Sequence, residues 1–233
     1  MSVPTVSLMD AVTPKPGHIT WSASNCVQEI IFNATATLGL TSEEVATIKA
    51  YTANCLYFTL NSALRTEKYF SIEPWFPYLK LFQLALTKLN ATEGTFCRGE
   101  SRKWSWAVTS LSSDLSACVR FLSGPTHSPS GTLYTIHSHT ARSVQNISKY
   151  SEEAESILLP ATSFKVITHG VHPLWSDTYT IELEEIRSAT TDTSTTTNVV
   201  LAVFTKHITT PVIDATSGHS HLILPVSKTI GNN

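Results

Sequence analysis

Charge is what this sequence has least of. Only 15% of its 233 residues are Asp, Glu, Lys or Arg, and the formal net charge is −2 with a pI near 6.5. Without a basic excess or a Lys/Arg run, nucleic acid and anionic membrane are excluded as the main partner. No stretch reaches the ~18–20 consecutive apolar residues that a membrane span needs. The first ten residues have neither a basic n-region nor an apolar h-region, so no signal peptide is expected and the cytoplasm is the default compartment. The four cysteines (Cys26, Cys55, Cys97, Cys118) lack metal-ligand spacing. They read as buried free thiols, or as bridged pairs if the protein is exported. No Gly-x-Ser-x-Gly elbow surrounds any serine, which removes support for a hydrolase triad. His137/His139 and His219/His221 form His-x-His pairs with no evident third ligand, so they read as polar strand or loop residues and no metal is expected. There is no internal repeat. Asn33-Ala-Thr35, Asn90-Ala-Thr92 and Asn146-Ile-Ser148 match the glycosylation triplet, which means little without an export signal.

What is present is a core-sized apolar fraction, 42%, with five Trp and nine Phe. Residues 1–40 read as an irregular lead-in, with Pro14 and Pro16 opposing early helix. Thr41-Ser-Glu-Glu44 is a capping box. Val45, Ile48, Tyr51, Thr52, Cys55 and Leu56 follow at helical spacing, predicting a helix to about Leu64. A second helix is predicted from Pro74 to about Leu89, with Trp75, Tyr78, Leu79, Phe82 and Leu86 on its apolar face. After Asn90 the period shortens. Thr95–Arg98, Trp104–Ser110, Thr132–His137, Ser163–Ile167 and Thr178–Leu183 read as strands, and Asp114–Phe121 as a short helix. Helices first and strands after argue for an α+β fold. Residues 188–198 are a Thr-rich linker, and 199–204 and 221–226 could add two strands to the tail at 188–233.

Ser151–Leu159 holds three carboxylates within four residues, Glu152, Glu153 and Glu155, and then the apolar run Ile157-Leu158-Leu159. The run reads as a short buried strand. On a strand, a spacing of two would put Glu153 and Glu155 on one face. Taken alone, the cluster is also what a solvated turn before a strand looks like.

Taken in order, three motifs are more specific. Arg98-Gly99 follows a strand, Ser110-Leu-Ser112 ends a Trp-rich strand, and Glu153-Ala-Glu155 precedes Ile-Leu-Leu-Pro. In this order, with flanks from about Thr41 to Ile186, the chain resembles the arginine-specific mono-ADP-ribosyltransferases of the Arg–Ser–Glu class. That class includes vertebrate ecto-enzymes, which are secreted or surface-anchored, and several bacterial toxins. The resemblance implies a catalytic domain over 41–187, with a helical N-terminal lobe packed on a split β-sandwich that carries an NAD cleft. It implies transfer of ADP-ribose from NAD (or NADP) to the guanidino group of an acceptor protein or a small guanidino compound. Glu155 would stabilise the cationic transition state, Glu153 would hold the guanidinium, and Ser110 would orient Glu155. Arg98, Gly99, Ser110 and Ser112 would bind the nucleotide, with Gly99 letting the backbone approach the carboxamide. Eleven residues lie between Arg98 and Ser110, a shorter insert than the family's. That keeps an NAD glycohydrolase, or an inactive binding module with the same fold, as alternative readings.

Overall fold

Why the chain turns helical where it does is clearest at Thr41. In the computed structural model, which describes residues 6–14, 19–100, 108–123, 129–159 and 162–187, the Glu44 N–H donates to Thr41 Oγ1 at 3.3 Å. Glu44 Oε2 accepts from the Thr41 N–H at 2.9 Å, so the predicted capping box is complete. It opens a helix over Ser42–Thr52. The single helix expected to Leu64 is in fact two, because Asn54 turns left-handed (φ 64°) and ends the first. Asparagine tolerates that conformation better than most residues, and it is a common helix stop. The second piece runs over Tyr57–Arg65. The stretch expected from Pro74 begins as a 3-10 turn at Glu73–Trp75 and becomes α-helical over Phe76–Lys88. Pro77 has no N–H to give to the carbonyl four residues back, so the α-helical bond at this point cannot form.

The lead-in is not irregular. It contains two helices, Leu8–Ala11 and Trp21–Asn33. In chain order the helices are α1 (Leu8–Ala11), α2 (Trp21–Asn33), α3 (Ser42–Thr52), α4 (Tyr57–Arg65), α5 (Tyr69–Ile72), α6 (Phe76–Lys88) and α7 (Leu115–Ser123). The strands are β1 (Ala91–Glu100), β2 (Thr109–Ser112), β3 (Gly131–Ser143), β4 (Glu155–Leu158), β5 (Phe164–Val171) and β6 (Thr178–Glu185). The expected strands fall on these elements, except that 101–107 lie outside the described residues. So do Pro160, the His219/His221 pair and both expected tail strands.

The chain divides into two units. The first comprises Met1–Thr92, Ser105–Ser110 and Thr140–Leu159. Its core joins Leu8, Ile48, Tyr51, Leu56, Leu60, Trp75, Tyr78, Phe82, Leu86, Ile147 and Ile157, all fully buried. Tyr51 and Tyr78 both pack on Phe82, with ring centroids 5.1 and 5.8 Å away. Leu8 sits in this core, and its N–H donates to Glu43 Oε1 at 2.7 Å, which ties the chain start to α3. The end of β3 pairs antiparallel with β4, Arg142 opposite Ile157 and Ser143 opposite Ser156.

The second unit comprises Glu93–Trp104, Leu111–His139 and Pro160–Asn233. Here β1 and β2 are antiparallel, with Cys97 opposite Ser112. The first half of β3 pairs parallel with β6, and β6 pairs antiparallel with β5 through a bulge at Val166/Thr168. Cys97, Cys118, Leu122 and Leu133 form a buried cluster against which Trp175 packs.

The cysteines are not free thiols. Cys26 bridges Cys55 in the first unit and Cys97 bridges Cys118 in the second. The loops closed span 29 and 21 residues, and loops of that size are worth about 3 kcal/mol each when cross-linked. Bridges of this kind persist in oxidising compartments, so the cytoplasmic default loses its support. No described helix is long and apolar enough to cross a membrane.

Glu44 also accepts from Lys88 Nζ at 2.6 Å. Burial opposes ionisation of Glu44, but the Lys88 ion pair and the bonds to Thr41 outweigh it and hold the carboxyl below its ordinary value of 4.5. A carboxylate lowered on folding stabilises the fold above its unfolded-state value, and the stabilisation is lost as pH falls through the folded-state value. Glu44→Gln keeps a cap-competent side chain and removes the charge. Its stability deficit, about 1 kcal/mol or less for an exposed pair, should be present at pH 7 and absent at a pH well below the lowered folded-state value. Denaturant midpoints for both proteins at the two pH values test this; a deficit that persists in acid would refute it.

Candidate functional site

The first unit carries Ser110, Glu153 and Glu155. Ser110 is placed by a buried network. The Tyr51 hydroxyl donates to the Val108 carbonyl at 3.1 Å and accepts from Asn61 Nδ2 at 3.2 Å. Asn61 Oδ1 in turn accepts from the Val108 N–H at 3.1 Å. Tyr51, Asn61 and Val108 are all at most 1% exposed. Ser110 Oγ lies 3.4 Å from the Tyr51 oxygen and donates to it. Two helices, α3 and α4, therefore fix the backbone from which Ser110 projects.

Glu155 opens β4, a strand whose four residues are all buried; the expected buried run is found at Ile157 and Leu158, while Leu159 lies beyond the strand and is half-buried. The carboxylate-bearing residue is itself only 8% exposed. The Val144 N–H donates to the Glu155 carbonyl at 3.0 Å, and Ser148 Oγ donates to Glu155 Oε2 at 3.1 Å.

The expected strand spacing between the two glutamates is not what is found. Glu153 ends a 3-10 turn over Ser151–Glu153, and Ala154 is left-handed (φ 46°, ψ 46°). The strand starts only at Glu155, so period-2 alternation does not relate the pair. A β-carbon in this conformation costs about 1–2 kcal/mol, and such outliers cluster where structure is held for function.

The second unit carries Arg98, Gly99 and Ser112. Cys97, joined to Cys118, precedes Arg98, and Gly99 follows it. A Cβ at Gly99 would come within 2.0 Å of the Cys118 carbonyl oxygen and 3.1 Å of Leu122 Cγ. The packing of β1 on α7 therefore demands glycine without reference to any ligand. Arg98 is pinned on both sides, and its Nε donates to Glu100 Oε1 at 2.6 Å within an ion pair whose side chains are 12% and 16% exposed. Ser112 opposes Cys97 across the β1–β2 ladder. Its hydroxyl accepts from the Asp114 N–H at 2.9 Å, forming the turn into α7. Asp114 caps that helix through the Ser116 N–H (2.9 Å) and hydroxyl (2.7 Å). These bonds from Ser116 hold the Asp114 carboxyl below its ordinary value.

Sequence reasoning missed Asn61, Glu100 and Ser148. An asparagine between Leu60 and Leu64 on a buried helix face was the signal for the first, and an opposite charge two residues along a strand for the second. Ser148 was masked by its reading as the end of a glycosylation triplet. His137 bonds Glu182 (2.7 Å) and Thr95 (3.0 Å), and His139 lies 3.5 Å from Glu185. Among the described residues no group of three or more His, Cys, Asp or Glu side chains could hold a metal ion.

Solved structures share this arrangement of elements. HopU1 of Pseudomonas syringae pv. Tomato DC3000, an ADP-ribosyltransferase, superposes with a TM-score of 0.53 at 18% identity, covering 63% of this chain and 78% of its own. The Vis toxin of Vibrio splendidus, an ADP-ribosyltransferase solved in complex with agmatine, gives 0.53 at 19%, covering 77% and 91%. The chain has the ADP-ribosyltransferase fold. Exoenzyme S of Pseudomonas aeruginosa, solved with human 14-3-3 protein beta and carba-NAD, gives 0.51 at 18%, covering 76% and 86%. At these identities the likeness is one of fold. No protein-family model and no curated protein matches the sequence.

The steric requirement at Gly99 is directly testable. Gly99→Ala should force β1 away from α7 and lower stability by about 1–3 kcal/mol, the usual penalty for overpacking. An unchanged denaturation midpoint would show that the strand and helix can separate at no cost.

Proposed function

We propose that this protein transfers ADP-ribose from NAD to the guanidino group of arginine, on a protein or a small acceptor, and releases nicotinamide. The observation that carries the reading is the buried carboxylate of Glu155 at the head of β4, two residues after Glu153, in a chain with the ADP-ribosyltransferase fold. Burying an ionisable carboxylate is costly unless it is bonded or used. In the proposed reaction the bond from ribose C1′ to the nicotinamide nitrogen breaks, and neutral nicotinamide leaves with the electron pair. Positive charge develops at C1′ and the ring oxygen. A fixed carboxylate screened from water stabilises such charge far better than solvent can. Glu155 takes this role.

Glu153 receives the guanidinium. Its carboxylate matches the planar fork of an arginine side chain and accepts the proton lost as the nitrogen bonds to C1′. Ser110 steadies Glu155 from β2. Arg98 binds the pyrophosphate of NAD, exchanging part of its bond with Glu100 for phosphate oxygens. Gly99 and Ser112 lie beside it and shape the backbone there. Agmatine, found with Vis, is a guanidino compound, and carba-NAD, found with exoenzyme S, is an NAD analogue. Both belong to the substrate classes proposed for this chain.

The test is incubation of the purified, disulfide-bonded chain with adenylate-labelled NAD, with and without agmatine. Labelled ADP-ribosyl-agmatine is the expected product. Glu155→Gln should lower turnover at least about 100-fold, the scale of losing one electrostatic contact to the transition state, with an unchanged melting temperature. Free ADP-ribose as the sole product would reassign the protein as a glycohydrolase. A well-folded protein that neither binds nor consumes NAD would leave only the fold.

A further inference from the structure

The turn between β3 and β4 is built around one hydroxyl. It starts at Val144, whose carbonyl accepts from the Ile147 N–H (2.8 Å) and the Ser148 N–H (2.7 Å). Val144 and Ile147 are buried, at 0% and 1% exposure, so the turn is anchored from below by apolar packing. The Val144 N–H donates to the carbonyl of Glu155 at 3.0 Å, which clamps the first residue of β4 to the start of the same turn. Ser148 then reaches the side chain of that residue, Oγ to Oε2 at 3.1 Å.

A serine hydroxyl has one proton and two lone pairs. Ser148 Oγ accepts from the Tyr150 N–H at 3.2 Å. Its proton remains for a carboxylate, which when ionised can only accept. The direction of the Ser148–Glu155 bond is therefore set by the carboxylate, while the Tyr150 N–H fixes where the serine oxygen sits. Backbone and side chain of Glu155 are both held from the loop between β3 and β4, through Val144 and Ser148, and the glutamate, only 8% exposed, cannot change its torsions without breaking one of these bonds.

We infer that Ser148 is a positioning residue for Glu155, a second serine that presents the carboxylate to the ribose from the β3–β4 turn. This rests on the reading of Glu155 as the carboxylate that stabilises the ribosyl cation. Ser148 touches no substrate in this account. It acts by keeping the carboxylate in one rotamer, so its loss slows the chemical step and leaves NAD binding almost intact. The role requires a hydroxyl at this position, which threonine also supplies.

The experiment is steady-state kinetics with NAD and agmatine on the disulfide-bonded full chain, with wild type, Ser148→Ala and Ser148→Thr compared and melting temperatures recorded. For Ser148→Ala, kcat should fall about 10- to 100-fold, the range for a hydrogen bond to a charged group. KM for NAD should change less than about 2-fold, as for an interaction made chiefly in the transition state. Ser148→Thr should recover most of the lost kcat. If Ser148→Ala does not fold, Ser148→Gly, which suits a turn, replaces it with the same expectation. Undiminished kcat in an active wild-type background, a rise in KM alone, or a threonine variant as slow as alanine would each overturn the positioning role and leave the transferase reading standing. A wild-type protein that consumes no NAD would overturn that reading and this inference together.

Discussion

The hydroxyl of Tyr51 joins parts of the first unit that are distant in sequence. It bonds Asn61 ten residues on, Val108 another 47 beyond that, and Ser110. Tyr51, Asn61 and Val108 lie where water does not reach, with half-buried Ser110 at the edge of the network, and an unpaired polar group among the first three would cost about 1–3 kcal/mol. The network is therefore cooperative in a simple sense. If Asn61 moves, the Val108 N–H loses its acceptor and the Tyr51 oxygen loses a donor, and the placement of Ser110 goes with them. Neighbouring Tyr78 follows the same rule on a smaller scale, donating to the Thr47 carbonyl at 3.0 Å. Burial, with some repulsion from Tyr51, pushes its phenol well above the ordinary range, so it stays a neutral donor. Apolar packing on Phe82 supplies the energy of this core, and the phenols supply its register.

Arg98 in the second unit is held by a different device. The Cys97–Cys118 bridge and the contact of Gly99 with the Cys118 carbonyl tie the residues on both sides of it to α7. The bridge limits how far β1 can move from α7 at Cys97, and at Gly99 the two already approach too closely for a β-carbon. The guanidinium of Arg98 is kept in place by Glu100 rather than left to sample solvent. An arginine prepared this way loses little rotamer entropy on meeting an anion, but the anion must compete with a carboxylate already present.

What could be read from the sequence follows the range of the interactions involved. The Thr41/Glu44 cap is local, and it was legible to the residue. The buried strand at Ile157 and Leu158 and the strands β3, β5 and β6 were legible as elements, though not at their ends, from short runs of branched and aromatic residues. α2 was missed because its buried side is Ala23, Ser24 and Val27, while its large residues Trp21 and Phe32 are 75% and 89% exposed. A helix that buries small side chains leaves no apolar stripe. The break at Asn54 turned on one backbone torsion inside an otherwise continuous pattern. Disulfide partners are chosen by three-dimensional proximity, which spacing does not encode. The Ser148 contact depended on how a turn closes, and the residue types around it pointed elsewhere.

Ala154 shows why the last of these matters for the site. Had the segment been a plain strand, Glu153 and Glu155 would share one rigid ladder and move together. Instead the left-handed residue between them divides the backbone into two differently anchored pieces. The Glu153 N–H donates to the Tyr150 carbonyl at 3.1 Å, and the Ala154 N–H to that of Ser151 at 3.3 Å, so Glu153 belongs to a tight turn. Glu155 belongs to the sheet as the first residue of β4 and is tied to the β3–β4 loop through Val144 and Ser148. Glycine would adopt the same torsions without penalty, yet the chain accepts about 1–2 kcal/mol of strain to have alanine there. A methyl group at that point narrows the torsions open to the link, and this limits how far one carboxylate can drift from the other. For the proposed chemistry the division is useful. The carboxylate that faces the ribosyl cation has to be immobile, whereas the one that receives an incoming guanidinium has to adjust to side chains arriving on different acceptors. A fixed strand end and a short turn, joined by one constrained residue, provide the two behaviours within three positions of the chain.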